Sequence, residues 1–338
     1  MKKTNIEDAV GMTLCHDVTA MYPGFKGPLF KRGHVIEEKD ISAFLDIGKK
    51  SVYTGDIPKD MLHEEDCAVR LAQMAAVSGA HYEGPSEGKV VLVSDIDGML
   101  KVNTGLLRSI NSIGDITVTT LPDHYRVRKG MKIASMRIVP LFTKKEVIDR
   151  AEELCKGSKL IDILPYKSRK AGIIITGSEV YNGRIEERFE KVITGKLDAY
   201  PGIIAGVRIC DDDTDMIVGS ARKLLDLGAD FLIFTGGMSV DPDDLTPGAI
   251  KRLGAEIVSY GLPAQPGNMT LVAYLNDTVI AGVPGAAISR PVTMFDVLLP
   301  QIYAGIKFTK TDLINLAEGG LCQMCEDCHY PNCTFGRY

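Results

Sequence analysis

The chain has 338 residues, 45% of them apolar and 25% charged, with a formal net charge of −5. That length suggests two or three domains, and the composition excludes wholesale disorder. The acidic balance argues against a general nucleic-acid binder, which needs a concentrated cationic surface, yet it leaves room for one small anionic ligand held by backbone amides. No stretch is long and apolar enough to span a bilayer. Lys2-Lys3 leads into polar residues instead of an apolar signal core, so the expected location is the cytoplasm, with no membrane partner. In that reducing setting Cys15, Cys67, Cys155 and Cys210 read as small buried hydrophobes.

In chain order, residues 1–60 predict a turn-rich β/α region. Tyr22 to Pro28 reads as loop and Leu29 to Ile36 as a hairpin around Gly33, followed by a helix over Glu37–Ile47 that stops at Gly48. Residues 61–167 predict a small α+β accessory domain. A helix carries Ala68, Leu71, Ala72, Ala75 and Ala76, and a strand covers Val90–Val93. Asp97-Gly98 signals a hairpin, a second strand covers Ile116–Thr119, another hairpin turns at Lys129-Gly130, and a helix spans Thr143–Cys155. Aspartates 95 and 97 beside Gly98 suit local turn hydrogen bonds better than catalysis.

From residue 168 to 306 the order is regular. Strands at Gly172–Thr176, Ile203–Ile209 and Phe231–Phe234 alternate with helices at Arg184–Lys196, Asp215–Leu227 and from Thr246, and further strands fall at Glu256–Val258 and Thr278–Ala281. A closing helix covers about Ala286–Tyr303. Alternation of this kind, with strands apolar on both faces, specifies an α/β fold: a parallel-type sheet with helices on both faces.

Ligands of such sheets bind beyond the carboxyl ends of the strands. Here those ends carry Thr176-Gly177-Ser178-Glu179, Asp211-Asp212-Asp213, Thr235-Gly236-Gly237-Met238-Ser239 and Gly282-Val283-Pro284-Gly285. Glycine permits close backbone approach, hydroxyls donate, and helix starts add partial positive charge, which together suit an anion. The carboxylates Glu179, Asp211, Asp212, Asp213, Asp241, Asp243 and Asp244 would repel that anion unless a divalent cation such as Mg²⁺ bridges them. Taken singly, Asp212, Asp213 and Asp244 also suit capping of the helices that follow. No Lys or His stands in these loops as a nucleophile or base, so positioning and metal electrostatics would carry any catalysis.

Thr235-Gly236-Gly237-Met238-Ser239-Val240, followed by Asp244-Leu245-Thr246-Pro247, resembles the molybdopterin-binding domain shared by molybdopterin molybdotransferases and molybdopterin adenylyltransferases. Thr176 to Val180 looks like a turn of the transferases, Asp212-Asp213 like their paired aspartates, and Val283-Pro284-Gly285 like their proline-glycine loop, so the likeness covers about 169–305. It implies that Thr235, Gly236, Gly237 and Ser239 hold the pterin's terminal phosphate, with Thr176, Gly177, Ser178, Pro284 and Gly285 completing the substrate site. Asp244 would face the reacting phosphate or its metal, with Glu179 and Asp212 or Asp213 forming an acidic, molybdate-side cluster. The implied chemistry is adenylylation of molybdopterin with MgATP, or exchange of the adenylyl group for molybdate, in a homo-oligomeric enzyme. Where transferases continue with asparagine and proline, this chain has Ala286-Ala287, which leaves open a carrier of finished molybdenum cofactor for a molybdenum hydroxylase. A nucleotide-handling relative, such as the competence-damage family, is a third reading.

Residues 307–338 form a Cys-rich tail in which Cys322, Cys325, Cys328 and Cys333 give Cys-x-x-Cys-x-x-Cys-x-x-x-x-Cys. Successive Cys-x-x-Cys spacings suit an iron–sulfur cluster and resemble a bacterial ferredoxin run. Structural zinc and a reduced, metal-free tail are the other readings.

Overall fold

A computed structural model describes residues 1–239 and 241–337; Val240, part of the glycine-loop motif, lies outside the described residues. The chain divides into two compact units, one of residues 1–96 and 100–163, the other of 97–99 and 164–338. No helix among the described residues is long and apolar enough to cross a membrane.

In the first unit, two of the expected hairpins turn elsewhere. Val18–Tyr22 pairs with Phe25–Phe30 across Pro23-Gly24, so the segment read as loop is the hairpin and Gly33 turns none. Lys89–Ser94 pairs with Ala80–Ser86 across Glu87-Gly88 instead of folding back at Asp97-Gly98. Arg126–Val127 and Lys132–Ile138 join different sheets, so the turn at Lys129-Gly130 closes no hairpin. The observed hairpins also turn on glycine dipeptides, Pro23-Gly24 and Glu87-Gly88, so such a dipeptide marks a turn without saying whether it joins two paired strands. The helix Glu64–Met74 buries Cys67, Ala68, Leu71 and Ala72, the face its spacing predicts.

The second unit holds the α/β domain. Its sheet is built from β1 (Arg169–Thr176), β2 (Gly202–Cys210), β3 (Phe231–Thr235), β4 (Glu256–Tyr260), β5 (Leu271–Leu275) and β6 (Thr278–Val283), in the order β2-β1-β3-β6-β5-β4. The first four in that order run parallel, while β5 and β4 add an antiparallel edge. β5 has no counterpart in the expected elements, because its run Leu271–Leu275 lacks flanking alternation.

Side chains of a strand alternate between faces, and the core splits accordingly. Ile173, Ile175, Phe231 and Ile233 pack on one face with α1 (Phe189–Leu197) and the later helix Met294–Tyr303. Ile174, Leu232 and Phe234 pack on the other with α2 (Thr214–Asp226) and α3 (Thr246–Arg252). The expected helix Ala286–Tyr303 is broken at Arg290-Pro291 into Ala286–Ser289 and α4 (Met294–Tyr303): Pro291 disfavours helical backbone at the residue before it, and Arg290 is extended, with φ −121° and ψ 135°. A capping box of Thr293 and Asp296 restarts it. Residues beyond 306 pack on the first face, where Phe308, Leu313, Leu316 and Phe335 are buried.

Candidate functional site

The carboxyl ends of β1, β3 and β6 carry the glycine loop, its support and the proline-glycine loop. Gly236 and Gly237 have φ of 85° and 52°, the left-handed region that favours glycine. A methyl group on Gly236 would collide with the Thr176 carbonyl oxygen; on Gly237 it would lie 2.9 Å from the Thr246 hydroxyl and 3.0 Å from that of Thr176. The loop therefore rests directly on the end of β1 and the start of α3. Two buried threonines fasten it. Thr246 Oγ1 donates to the Gly236 carbonyl at 2.9 Å and lies 3.0 Å from Thr176 Oγ1.

Thr235 is fully buried at the base of the loop, and its hydroxyl has no partner among the described residues. Met238 packs over Gly282 of β6, filling the space a side chain there would take. On the far side, Tyr260 of β4 places its hydroxyl 2.7 Å from the Ser239 carbonyl and 3.1 Å from that of Met238. Burial, and then the charge of Asp244, push the Tyr260 hydroxyl's pKa up, so it stays a donor.

A cavity of about 410 Å³ opens at these strand ends, lined by Gly236, Gly237, Met238, Ser239 and Asp244 on one side and Pro284, Gly285 and Ala286 on the other. That volume lies in the range of small-molecule sites, roughly 300–1,000 Å³. Phe189 and the segment Gly267-Asn268-Met269 complete the wall. Neither was singled out in the sequence. Phe189 sits in an amphipathic helix like any core residue, while Pro266-Gly267-Asn268 was a legible turn signal that lacked a strand to place it.

The acidic cluster lies apart from this lining, except for Asp244. The Ser178 N–H donates to Asp212 Oδ2 at 2.7 Å, and the Ser178 hydroxyl donates to Asp211, so the ends of β1 and β2 are tied to each other. Asp213 Oδ1 accepts the Met216 N–H at 2.7 Å and caps α2. The Glu179 carboxylate folds back over Gly177, 3.1 Å from where a side chain there would begin. Asp244 accepts the Asp241 N–H at 2.9 Å through one oxygen. No three Cys, His, Asp or Glu side chains among the described residues stand together as a single-ion ligand set.

Replacing Tyr260 with phenylalanine should leave the fold intact and lower ligand affinity about 5–10-fold, the effect of one hydrogen bond of about 1 kcal/mol on loop order. Calorimetric titration of wild type and variant checks this, and equal affinities would mean that the hydroxyl does not hold the loop.

Comparison with known proteins follows the same division. Residues 172–304 match a family model described as "Probable molybdopterin binding domain", and residues 3–56 match one described as a domain of unknown function. A curated CinA-like protein of Mycobacterium sp. (strain JLS) is 35% identical over 92 residues, covering 27% of this chain and 22% of that protein. A molybdopterin molybdenumtransferase of Bacillus subtilis (strain 168) is 30% identical over 127 residues, 34% of this chain and 28% of that protein. The match thus spans only about a quarter of the length of these relatives. Among solved structures, a tungsten cofactor synthesizing protein MoaB from Pyrococcus furiosus has a TM-score of 0.35 at 20% identity, over 40% of this chain and 94% of its own. The molybdopterin biosynthesis moea protein from Pyrococcus horikosii has a TM-score of 0.33 at 14% identity, over 90% of this chain and 75% of its own. Residues 172–304 are a domain of the molybdopterin-binding family.

Proposed function

We propose that this chain binds molybdopterin at the cavity between the glycine loop and the Pro284-Gly285 loop and acts as a transferase in molybdenum cofactor biosynthesis. The observation that carries this reading is the shared cavity itself. Gly236, Gly237 and Ser239 meet Pro284 and Gly285 around one space of about 410 Å³. Backbone at Gly236 and Gly237 approaches that space without side chains, which suits the terminal phosphate of the pterin.

Asp244 is the carboxylate at the cavity wall. Mg²⁺ characteristically takes one or two carboxylates and fills its remaining positions with substrate oxygens and water, so the donor set fits it. When bound, the ion would neutralise charge on the phosphate and on an incoming nucleotide or molybdate. Asp244 then positions that phosphate, Tyr260 holds the loop carbonyls, and Ser178 with Asp211 and Asp212 keeps the neighbouring strand ends in register. Glu179, Asp212 and Asp213 are assigned to the molybdate or nucleotide side, beyond the pterin phosphate.

The test is calorimetry with molybdopterin, followed by turnover assays with MgATP and molybdopterin, or with adenylylated molybdopterin and molybdate. Binding with turnover supports the transferase. A second reading, a carrier of finished cofactor, draws on Ala286, which gives this wall a methyl group and no amide. Tight binding without turnover would select the carrier. Binding of nucleotides but of no pterin would sink both and favour a nucleotide-handling role. Edge strand β2 leaves Ile203 and Ile209 64% and 42% exposed, an apolar edge that supports self-association, which sedimentation equilibrium tests.

A further inference from the structure

The four C-terminal cysteines, 322, 325, 328 and 333, line one cavity of about 110 Å³. The segment carrying them is anchored, not loose. The Gln265 N–H donates to the Gly320 carbonyl and the Cys322 N–H to the Gln265 carbonyl, both at 2.8 Å, so the tail enters as a short parallel bridge beside Gln265. It leaves with Phe335 buried in the sheet's core, and the Tyr330 hydroxyl donates to the Asp296 carbonyl at 3.1 Å. Between these anchors the four cysteines border the same cavity. Cys322 and Cys333 lie partly buried against the core, while Cys325 and Cys328 are exposed.

Three features point to a polynuclear group. The first is size: one water molecule needs roughly 10–15 Å³ of such space, so this cavity has room for a group of several atoms. A mononuclear zinc site instead draws four donors to about 2.3 Å of one centre. In a cluster each sulfur binds a different iron around a shared core, so the thiolates stand further apart. Four cysteines that line one common cavity supply the four thiolates that such a group takes. The second feature is a hydrogen bond to sulfur. The Met324 N–H lies 3.4 Å from Cys322 Sγ and donates to it, with Met324 at φ 53° inside the Cys-x-x-Cys turn. Bonds of this kind stabilise a ligating thiolate and tune a cluster's potential. The third is the wall. Val292, Pro291 and Phe335 give it an apolar surface, and Arg290 offsets the negative charge of thiolate ligands.

We propose that Cys322, Cys325, Cys328 and Cys333 ligate an iron–sulfur cluster in the cavity they line, beside the wall of the pterin cavity. Pro266 lines the cysteine cavity, and the next two residues, Gly267 and Asn268, line the cavity of the glycine loop. The segment from Pro266 to Asn268 is thus a shared partition. On ligation each thiol gives its proton to solvent as its sulfur–iron bond forms, and no electron moves in that step.

The experiment is anaerobic reconstitution of the full chain with iron, sulfide and a thiol. Iron and acid-labile sulfide are measured together with visible charge-transfer absorption and the electron paramagnetic resonance of the reduced protein. The expected result is iron and sulfide in equal numbers, with the absorption band lost in both Cys325→Ser and Cys328→Ser. These two positions are exposed, so the fold should survive, and circular dichroism checks that it does. Cys155→Ser, outside the cavity, should load like wild type. Zinc bound without sulfide, failure of the folded wild type to take up iron and sulfide, or full loading of the two serine variants would each overturn the assignment. None of these readouts depends on pterin binding, so the two conclusions stand or fall separately.

Discussion

Gly236→Ala should abolish measurable pterin binding, weakening it about 100-fold or more, roughly 3 kcal/mol. Two effects add in this variant. At φ 85° an alanine is strained in its backbone, and its methyl group would collide with the Thr176 carbonyl oxygen. Neither neighbour can give way cheaply. Thr176 ends β1, in register between β2 and β3, and its side chain is tied to Thr246. The loop must therefore lift, breaking the 2.9 Å bond from Thr246 to the Gly236 carbonyl and moving the backbone that faces the cavity. Thermal unfolding should show a smaller loss than binding does, because the sheet beneath remains packed. Calorimetry with molybdopterin measures the first quantity and a thermal melt the second. Wild-type affinity in Gly236→Ala would mean that the phosphate is held elsewhere in the cavity.

The α/β domain was legible because its strands are apolar on both faces and separated by helices with one apolar face. Ile173, Ile174 and Ile175 in succession suit a strand covered on both sides, and the structure buries Ile173 and Ile175 on one face and Ile174 on the other. The glycine loop was legible for the same local reason, since glycines at a strand's end have few uses other than close approach. Tyr260 and Phe189 were not legible as site residues, and Gly267 was legible only as part of a turn. Phe189 and Gly267 reach the cavity, and Tyr260 the carbonyls of Met238 and Ser239, from elements distant in sequence, and β5, which sets the register of β4 and so of Tyr260, was not among the expected strands. The aspartates were legible as a group but not individually. Asp213 accepts an amide of its own helix, and only Asp244 lines the cavity, a distinction that spacing cannot draw. In the first unit several glycine dipeptides compete as turns, and composition does not separate Pro23-Gly24 and Glu87-Gly88, which join paired strands, from those that do not.

That first unit carries the second large effect, an acid instability centred on His63. Its side chain is 1% exposed, it precedes the helix Glu64–Met74, and its Nδ1 accepts the Glu65 N–H at 3.2 Å as the helix cap. The neutral ring therefore carries its proton on Nε2, which is buried without a partner among the described residues. Protonation would put a charge on a buried ring beside Phe142 and remove the lone pair that caps the helix. Burial, followed by the charge of Arg32, lowers the His63 pKa from 6.5 to about 4, against the favourable influence of Asp66 and Asp17. The unfolded chain thus binds the proton first as pH falls, so stability is level above pH 6.5 and declines towards pH 4, by roughly 3 kcal/mol in full. Burial raises the pKa of neighbouring Glu64 and Glu65, which opposes this trend on acidification, so the His63 effect must be read as a difference. His63→Asn supplies a good capping oxygen that does not titrate. Urea unfolding of both proteins at several pH values between 7 and 4 should give a difference in stability that shifts towards the variant as pH falls. Parallel curves would show that His63 is accommodated in its charged form, for example through Glu65, whose carboxylate lies 4.0 Å from Nδ1.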